Sequence, residues 1–392
     1  MRLAEDGQPM DPEPVVLATV GPAPAAPVVA ATDSSFLVAW QAESEGSYDI
    51  LGAVVPLTDP VEENLQLLVL ASQPDLDEAE PTVAGNKEQF MVGWTMATGT
   101  EDSVVVVQML DPAGAPTTEP VLVPRTNAQR APSVALADSG AFVAWLEAGA
   151  QGEELRAALL HPGGDWISIQ PASLLMGLDD GPSLASPASF SVSAGGAEFW
   201  LVWESPSAKP GIWLARIDSG TGTVLDSKSL ELEGKDLVLA HGQAGFLLSW
   251  IKPDGSLVHS TLDPSGNPTD PMGHPISTPT ALAGRHALSS GGDTPLAVWR
   301  ESDGDDVGLY AARLEQGKNL VSLLIHSFGA PIAVQVGNLA PQVFEYDSRG
   351  RLTATWRSLG GQQIRRVDFD YYGLQAGAGR LQGLLASVIP TG

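Results

Sequence analysis

Carboxylates are the chemistry this chain offers in quantity. The stretch 75–78 (DLDE) sets out Asp75, Asp77 and Glu78, and 301–306 (ESDGDD) sets out Asp303, Asp305 and Asp306. Hard cations such as Ca²⁺ are held by several oxygens at once, and closely spaced acids in a loop supply them. Asp303, Asp305 and Asp306 are therefore the candidate metal ligands and Ca²⁺ the candidate cofactor, although neither stretch completes a full calcium-loop pattern. Two carboxyl groups can instead serve as acid and base in glycoside cleavage. That reaction needs a defined separation inside one pocket, which spacing along the chain does not set, so no catalytic residue is assigned from the sequence.

Other chemistries find little support. The six histidines (His161, His241, His259, His274, His286 and His326) fall in separate segments, with no H-x-x-x-H or H-E-x-x-H pair. No G-x-S-x-G elbow or phosphate loop is present, and no G-x-G-x-x-G stands between a strand and a helix. There is no cysteine, which removes disulfides, thiolate nucleophiles and thiolate metal ligands together. The net charge of -27 repels nucleic acid and anionic membranes, and leaves cations, basic proteins or glycans as partners. One segment runs the other way. From residue 339 onward six arginines face four acids, and Arg349, Arg351, Arg365 and Arg366 are the candidate partner-binding residues. The alternative for them is pairing with carboxylates on the same molecule.

The elements that must position these groups are legible as a repeat. Seven short phrases end in tryptophan: 36–40 (FLVAW), 90–94 (FMVGW), 142–145 (FVAW), 199–203 (FWLVW), 246–250 (FLLSW), 295–299 (PLAVW) and 352–356 (LTATW). Their tryptophans are separated by 54, 51, 58, 47, 49 and 57 residues, a period at which propeller blades and solenoid units recur. Thirteen residues before the tryptophan stands Pro27, Pro81 or Pro132 in the first three units, Leu237 in the fifth and His286 in the sixth. A second apolar run follows each tryptophan, and then a turn such as Asp111-Pro112-Ala113-Gly114, His161-Pro162-Gly163-Gly164 or Asp263-Pro264-Ser265-Gly266. Four short strands per unit make an antiparallel meander. The tryptophan strand is apolar at nearly every position, so both of its faces are buried.

A sheet buried on both faces and repeated at this length is stacked between like sheets. The reading is all-β: a seven-bladed β-propeller of four-stranded blades centred on Trp40, Trp94, Trp145, Trp203, Trp250, Trp299 and Trp356, one domain over 1–392. The tryptophans belong to the wedge between blades, and the small residues Ala39, Gly93, Ala144 and Ser249 let the adjacent sheet approach. The stretch 13–19 (EPVVLAT) reads as a fourth strand, so the N- and C-terminal strands are expected to close the ring by pairing. The C-terminal 380–390 (RLQGLLASVIP) offers an additional outer strand. Beginning in mid-repeat, the chain is expected to continue upstream in its precursor, into a signal peptide.

The P-x-V-A phrase, the aromatic-aliphatic-Trp phrase and the D-x-x-G turn resemble the tandem-repeat β-propellers of bacterial exported and surface proteins. The paired motifs of WD40, kelch and sialidase repeats are absent. The resemblance implies a WD40-like meander outside the cytoplasm: extracellular, periplasmic or at the cell surface. Such folds host enzymes and binding modules alike. The first expectation is a non-enzymatic binding or scaffolding propeller that recognises a protein or glycan. The alternatives are a glycosidase or lyase with carboxylates in a central funnel, and a structural subunit of a larger surface assembly. No membrane span, nucleic-acid partner or organic cofactor is expected, and self-assembly is open.

Overall fold

The computed structural model describes residues 25–391, apart from short breaks and the longer ones at 170–186, 206–210, 278–281, 290–294, 326–330, 337–341, 347–351 and 372–384. Of residues 1–24 it describes Leu17 alone, so the expected N-terminal strand at 13–19, and with it the pairing that would close a ring, lies outside the described residues. The chain divides into two compact units, one comprising Val15–Asp254 with His259–Gly273, the other holding Gly255–Val258 and His274–Gly392.

Alternation of apolar runs and Gly/Pro turns gives the expected meanders. The first sheet is β1 (Ala25–Ala31), β2 (Ser35–Ser44), β3 (Ser47–Pro56) and β4 (Gln66–Ala71), with one helical turn, Val61–Asn64, before β4. The second is β5 (Glu78–Gly85), β6 (Phe90–Ala97), β7 (Ser103–Leu110) and β8 (Val121–Leu122). The third is β9 (Gln129–Ala137), β10 (Gly140–Gly149), β11 (Gly152–Leu160) and β12 (Trp166–Ile169). The fourth is β13 (Phe190–Gly195), β14 (Glu198–Ser205), β15 (Gly211–Asp218) and β16 (Val224–Ser229). The fifth is β17 (Lys235–Gly242), β18 (Gly245–Ile251), β19 (Leu257–Leu262) and β20 (His274–Pro275).

The remainder is one continuous sheet of nine strands. It comprises β21 (Leu282–Ser289), β22 (Leu296–Asp303), β23 (Asp306–Glu315), β24 (Lys318–Ile325), β25 (Pro331–Val336), β26 (Gln342–Tyr346), β27 (Leu352–Leu359), β28 (Gln362–Tyr371) and β29 (Leu385–Thr391). Where two separate four-stranded units were expected, β25 pairs with both β24 and β26 and joins them. The C-terminal strand β29 pairs with β28, so the last strand set receives its outer strand from its own end of the chain.

Within the larger unit the first strands of consecutive sheets lie side by side: β1 with β5, β5 with β9, β9 with β13, and β13 with β17. Each interface is an apolar layer shared by two sheets. Leu37, Ile50 and Val54 of the first meet Phe90 and Trp94 of the second; Met91 and Val105 of the second meet Val134 and Trp145 of the third. Phe142 and Leu155 of the third meet Phe199, Trp203 and Trp213 of the fourth. All seven repeat tryptophans are buried. A side chain built on Gly93 would press on Val134 of the next sheet, which is why a small residue precedes the tryptophan there. This stacking of four-stranded meanders is β-propeller-like.

The three turns read from the sequence form as expected. The N–H of Gly114, Gly164 and Gly266 donates to the carbonyl of Asp111, His161 and Asp263 respectively. All three glycines have positive φ, between 82° and 90°, a backbone that glycine enters without a Cβ clash.

Candidate functional site

The repeat proline marks a bulge. In β1, β5 and β17 the ladder slips in register between Ala25 and Val28, Ala79 and Thr82, and Lys235 and Val238, and β9 slips at the same place opposite β10. The residue just before the repeat position is left-handed each time: Ala26 (φ 49°), Glu80 (53°), Ala131 (50°) and Asp236 (52°). Proline has no N–H to give the ladder and so is tolerated at this place in the first three sheets, while β17 makes the same bulge with Leu237 there. A repeated backbone device thus sets one residue apart from the ladder at the same end of the first strand in the first, second, third and fifth sheets, whereas β13 of the fourth pairs in unbroken register.

Two of the bulge residues are acids, Glu80 and Asp236, and a third acid, Glu204, stands near Asp236. Glu80 Oε2 accepts the Thr95 hydroxyl at 2.8 Å and the N–H of Ala131, the bulge residue of the next sheet, at 2.6 Å. Arg130 lies 3.9 Å from Glu80 and forks onto both oxygens of Glu153. Glu204, which follows the repeat tryptophan of β14, is different. Burial raises its proton affinity, the neighbouring charge of Asp236 raises it further, and Lys235 offsets part of the rise. Its Oε2 is buried without a hydrogen-bond partner, while the residue as a whole remains partly accessible. Asp236 is also partly accessible.

A second raised acid stands at the junction of the first two sheets. Glu78 is fully buried, and neither carboxyl oxygen has a partner within bonding distance. Burial, then Asp49, and to a lesser degree Asp77 push its pKa up to about 7, with the nearby Gln73 N–H opposing the rise. Glu147, which is buried, and Glu198, which is half-buried, are structural. Glu147 accepts from Thr126 at 2.6 Å, Trp145 Nε1 at 3.2 Å and Gln129 at 3.4 Å. Glu198 pairs with Arg216 at 2.6 Å, accepts from Trp200 at 2.7 Å, and is held below the usual carboxylate range by that arginine.

The residues singled out from the sequence are distributed differently. Asp303 ends β22 and Asp306 begins β23, and the backbone sets them opposite each other, while Asp305 lies outside the described residues. Asp75 also lies outside them. Among the described residues no three histidines or acids converge as a metal-holding group. Arg349 and Arg351 are outside the described residues, and Arg365 lies in β28. Arg366 donates to Glu345 at 2.9 Å and Asp368 at 2.8 Å, with its guanidinium 5.0 Å from the centre of the Trp356 ring, so its charge is engaged within its own sheet. His286 is buried opposite Trp299, and burial pushes its pKa down to about 4, which keeps it neutral.

The sequence reading singled out neither Glu204 nor Asp236. The usable signal was positional: Asp236 precedes Leu237, the residue that stands where other units have proline.

No family model and no curated protein matches the chain. Solved structures with a similar arrangement include a thermostable family-43 glycoside hydrolase, 16% identical over 51% of this chain and 74% of its own, with a TM-score of 0.35. A glycosyl hydrolase from Bacteroides ovatus is 11% identical over 64% and 86%, with a TM-score of 0.33. A protein of unknown function from Dyadobacter fermentans is 9% identical over 74% and 94%, with a TM-score of 0.45. Two of these are named as glycoside hydrolases, which stand with the enzymatic alternative and not with the expected non-enzymatic binding or scaffolding module, and likenesses at these identities carry no activity over to this chain. The choice of acting residues rests on this chain's own carboxyl groups.

Proposed function

We propose that the protein is a propeller-type enzyme that cleaves glycosidic bonds in a polysaccharide, using Glu204 as the proton donor. In this reading β21–β24 and β26–β29 are two blades bridged by β25, which brings the blade count to seven. The observation that carries the proposal is the placing of Glu204 beside Asp236: two partly accessible carboxyl groups at one sheet junction, one of which has its proton affinity raised by burial and by the other. A carboxyl group of raised proton affinity beside a second carboxyl group suits the acid of such a pair and leaves the base to its neighbour. Glu204 gives its proton to the glycosidic oxygen as the C–O bond breaks. Asp236 takes a proton from the water whose oxygen forms the new bond to the anomeric carbon. Such a substrate suits an extracellular, periplasmic or surface location.

The test is release of reducing ends from a panel of plant, fungal and bacterial polysaccharides. Turnover of one of them, lost by about a hundredfold or more in Glu204→Gln with the fold intact, is the expected result, since general acid catalysis contributes on that order. Activity should fall as pH rises through the elevated pKa of Glu204, because the donor must be protonated. Full activity in Glu204→Gln, or no turnover of any glycan by the wild-type chain, would overturn the reading.

A further inference from the structure

At the opposite ends of β5 and β9 from the bulges, a cleft of about 500 Å³ opens between the second and third sheets. Five residues of β5 separate Glu80 from Gly85, roughly 17 Å of strand at about 3.3 Å per residue, so the cleft is remote from Glu80. Its size lies in the range of small-molecule sites.

The cleft has a firm frame. Asn86 Oδ1 accepts the N–H of Glu88 at 3.0 Å and of Gln89 at 2.8 Å, and Asn86 Nδ2 reaches Asp138 on the facing wall at 3.5 Å. The carbonyl of Lys87 is further tied to Asp33 N–H at 3.1 Å. On the outer wall Gln108 Nε2 donates to the Thr118 carbonyl at 3.1 Å, and the His161 turn is closed by its own backbone bonds. Against this frame Lys87, Gln89, Thr117 and His161 line the cleft with side chains that have no hydrogen-bond partner among the described residues. Buried Val107, Leu136 and Leu160 form an apolar strip along it.

An ammonium, an amide, a hydroxyl and an imidazole beside an apolar strip match a ligand whose hydroxyls both donate and accept and whose C–H faces are apolar. Among the described residues Lys87 is the one lysine or arginine lining the cleft, against two carboxylates, Glu88 and Asp138, which disfavours an anionic occupant. We propose that the cleft between the second and third sheets is a binding site for a short stretch of neutral oligosaccharide, on different sheets from the Glu204–Asp236 pair. This assignment does not depend on catalysis.

The experiment is isothermal titration of the full chain with cellohexaose, xylohexaose and mannohexaose, and with hexagalacturonate as the anionic comparator. Expected is binding of at least one neutral hexaose, weakened about tenfold or more in the Gln89→Ala/His161→Ala double variant and in Thr117→Trp, which fills the cleft. These exposed or half-exposed positions should leave thermal unfolding unchanged. The readout is binding at the cleft variants and not turnover, so a failed catalytic reading leaves this result standing and the reverse also holds. No binding of any neutral hexaose, wild-type affinity in both cleft variants, or binding of hexagalacturonate alone would overturn the proposal.

Discussion

Glu80 Oε2 accepts the backbone N–H of Ala131 at 2.6 Å, so the bulge residue of one sheet caps the bulge residue of the next. Thr95 donates to the same oxygen at 2.8 Å. Removing the carboxylate in Glu80→Ala leaves the Ala131 N–H and the Thr95 hydroxyl without their acceptor. Each such loss costs about 1–3 kcal/mol. Urea unfolding should show the loss in Glu80→Ala and a smaller one in Glu80→Gln, whose amide oxygen still accepts.

Phe142 and Phe199 stack across the junction of the third and fourth sheets, with ring centroids 5.4 Å apart and planes at 24°. Both are fully buried. Phe142→Ala should destabilise by about 3–5 kcal/mol. A double-mutant cycle with Phe199→Ala should return a coupling of about 0.5–1.5 kcal/mol, the share owed to ring on ring. Additive single effects would assign the whole cost to burial.

Glu78 predicts a pH dependence with a definite sign. Its folded pKa, about 7, lies above the ordinary 4.5, so the folded state holds a proton that the unfolded state has released. Stability from this group is intact below pH 4.5, declines as pH rises towards 7, and is level above. The full loss is of the order of 3 kcal/mol by linkage. Melting temperature against pH should show a fall between these limits in the wild type that Glu78→Gln lacks.

Gly114 and Gly164 occupy the same turn position with φ of 83° and 90°. A Cβ on Gly114 would lie 2.6 Å from Leu68 and 2.7 Å from Val54 of the first sheet, whereas one on Gly164 meets nothing within 4 Å. Gly164→Ala should therefore cost only the left-handed strain, about 1–2 kcal/mol. Gly114→Ala should cost about 1–3 kcal/mol more through overpacking. Equal losses in chemical denaturation would remove the packing argument.

The phrase spacing hides one detail that only the register reveals. In 142–145 (FVAW) the phenylalanine stands three residues before the tryptophan, where 90–94 and 199–203 have four. Side chains alternate faces along a strand, so this one-residue difference sends Phe142 to the opposite face from Trp145. Phe142 joins the layer with the fourth sheet and Trp145 the layer with the second. The phrases align as text, yet their first aromatic residues do not occupy equivalent places.

The strands, their order within each meander, the turns and the buried tryptophans follow from the sequence, because period-two geometry, Gly/Pro turn chemistry and apolar runs act over a few neighbouring residues. The acidic character follows too. Which acid keeps its proton does not: Glu204 and Asp236 are 32 residues apart, from 236 minus 204, and meet only because β14 and β17 stack. Glu78 and Asp49 likewise come from separate sheets. Proton affinity is set by burial and by nearby charge, and both are properties of what tertiary packing brings together. The joining of the last two strand sets through β25 was equally beyond local reading, since edge strands of similar composition pair according to which backbone lies beside them in space.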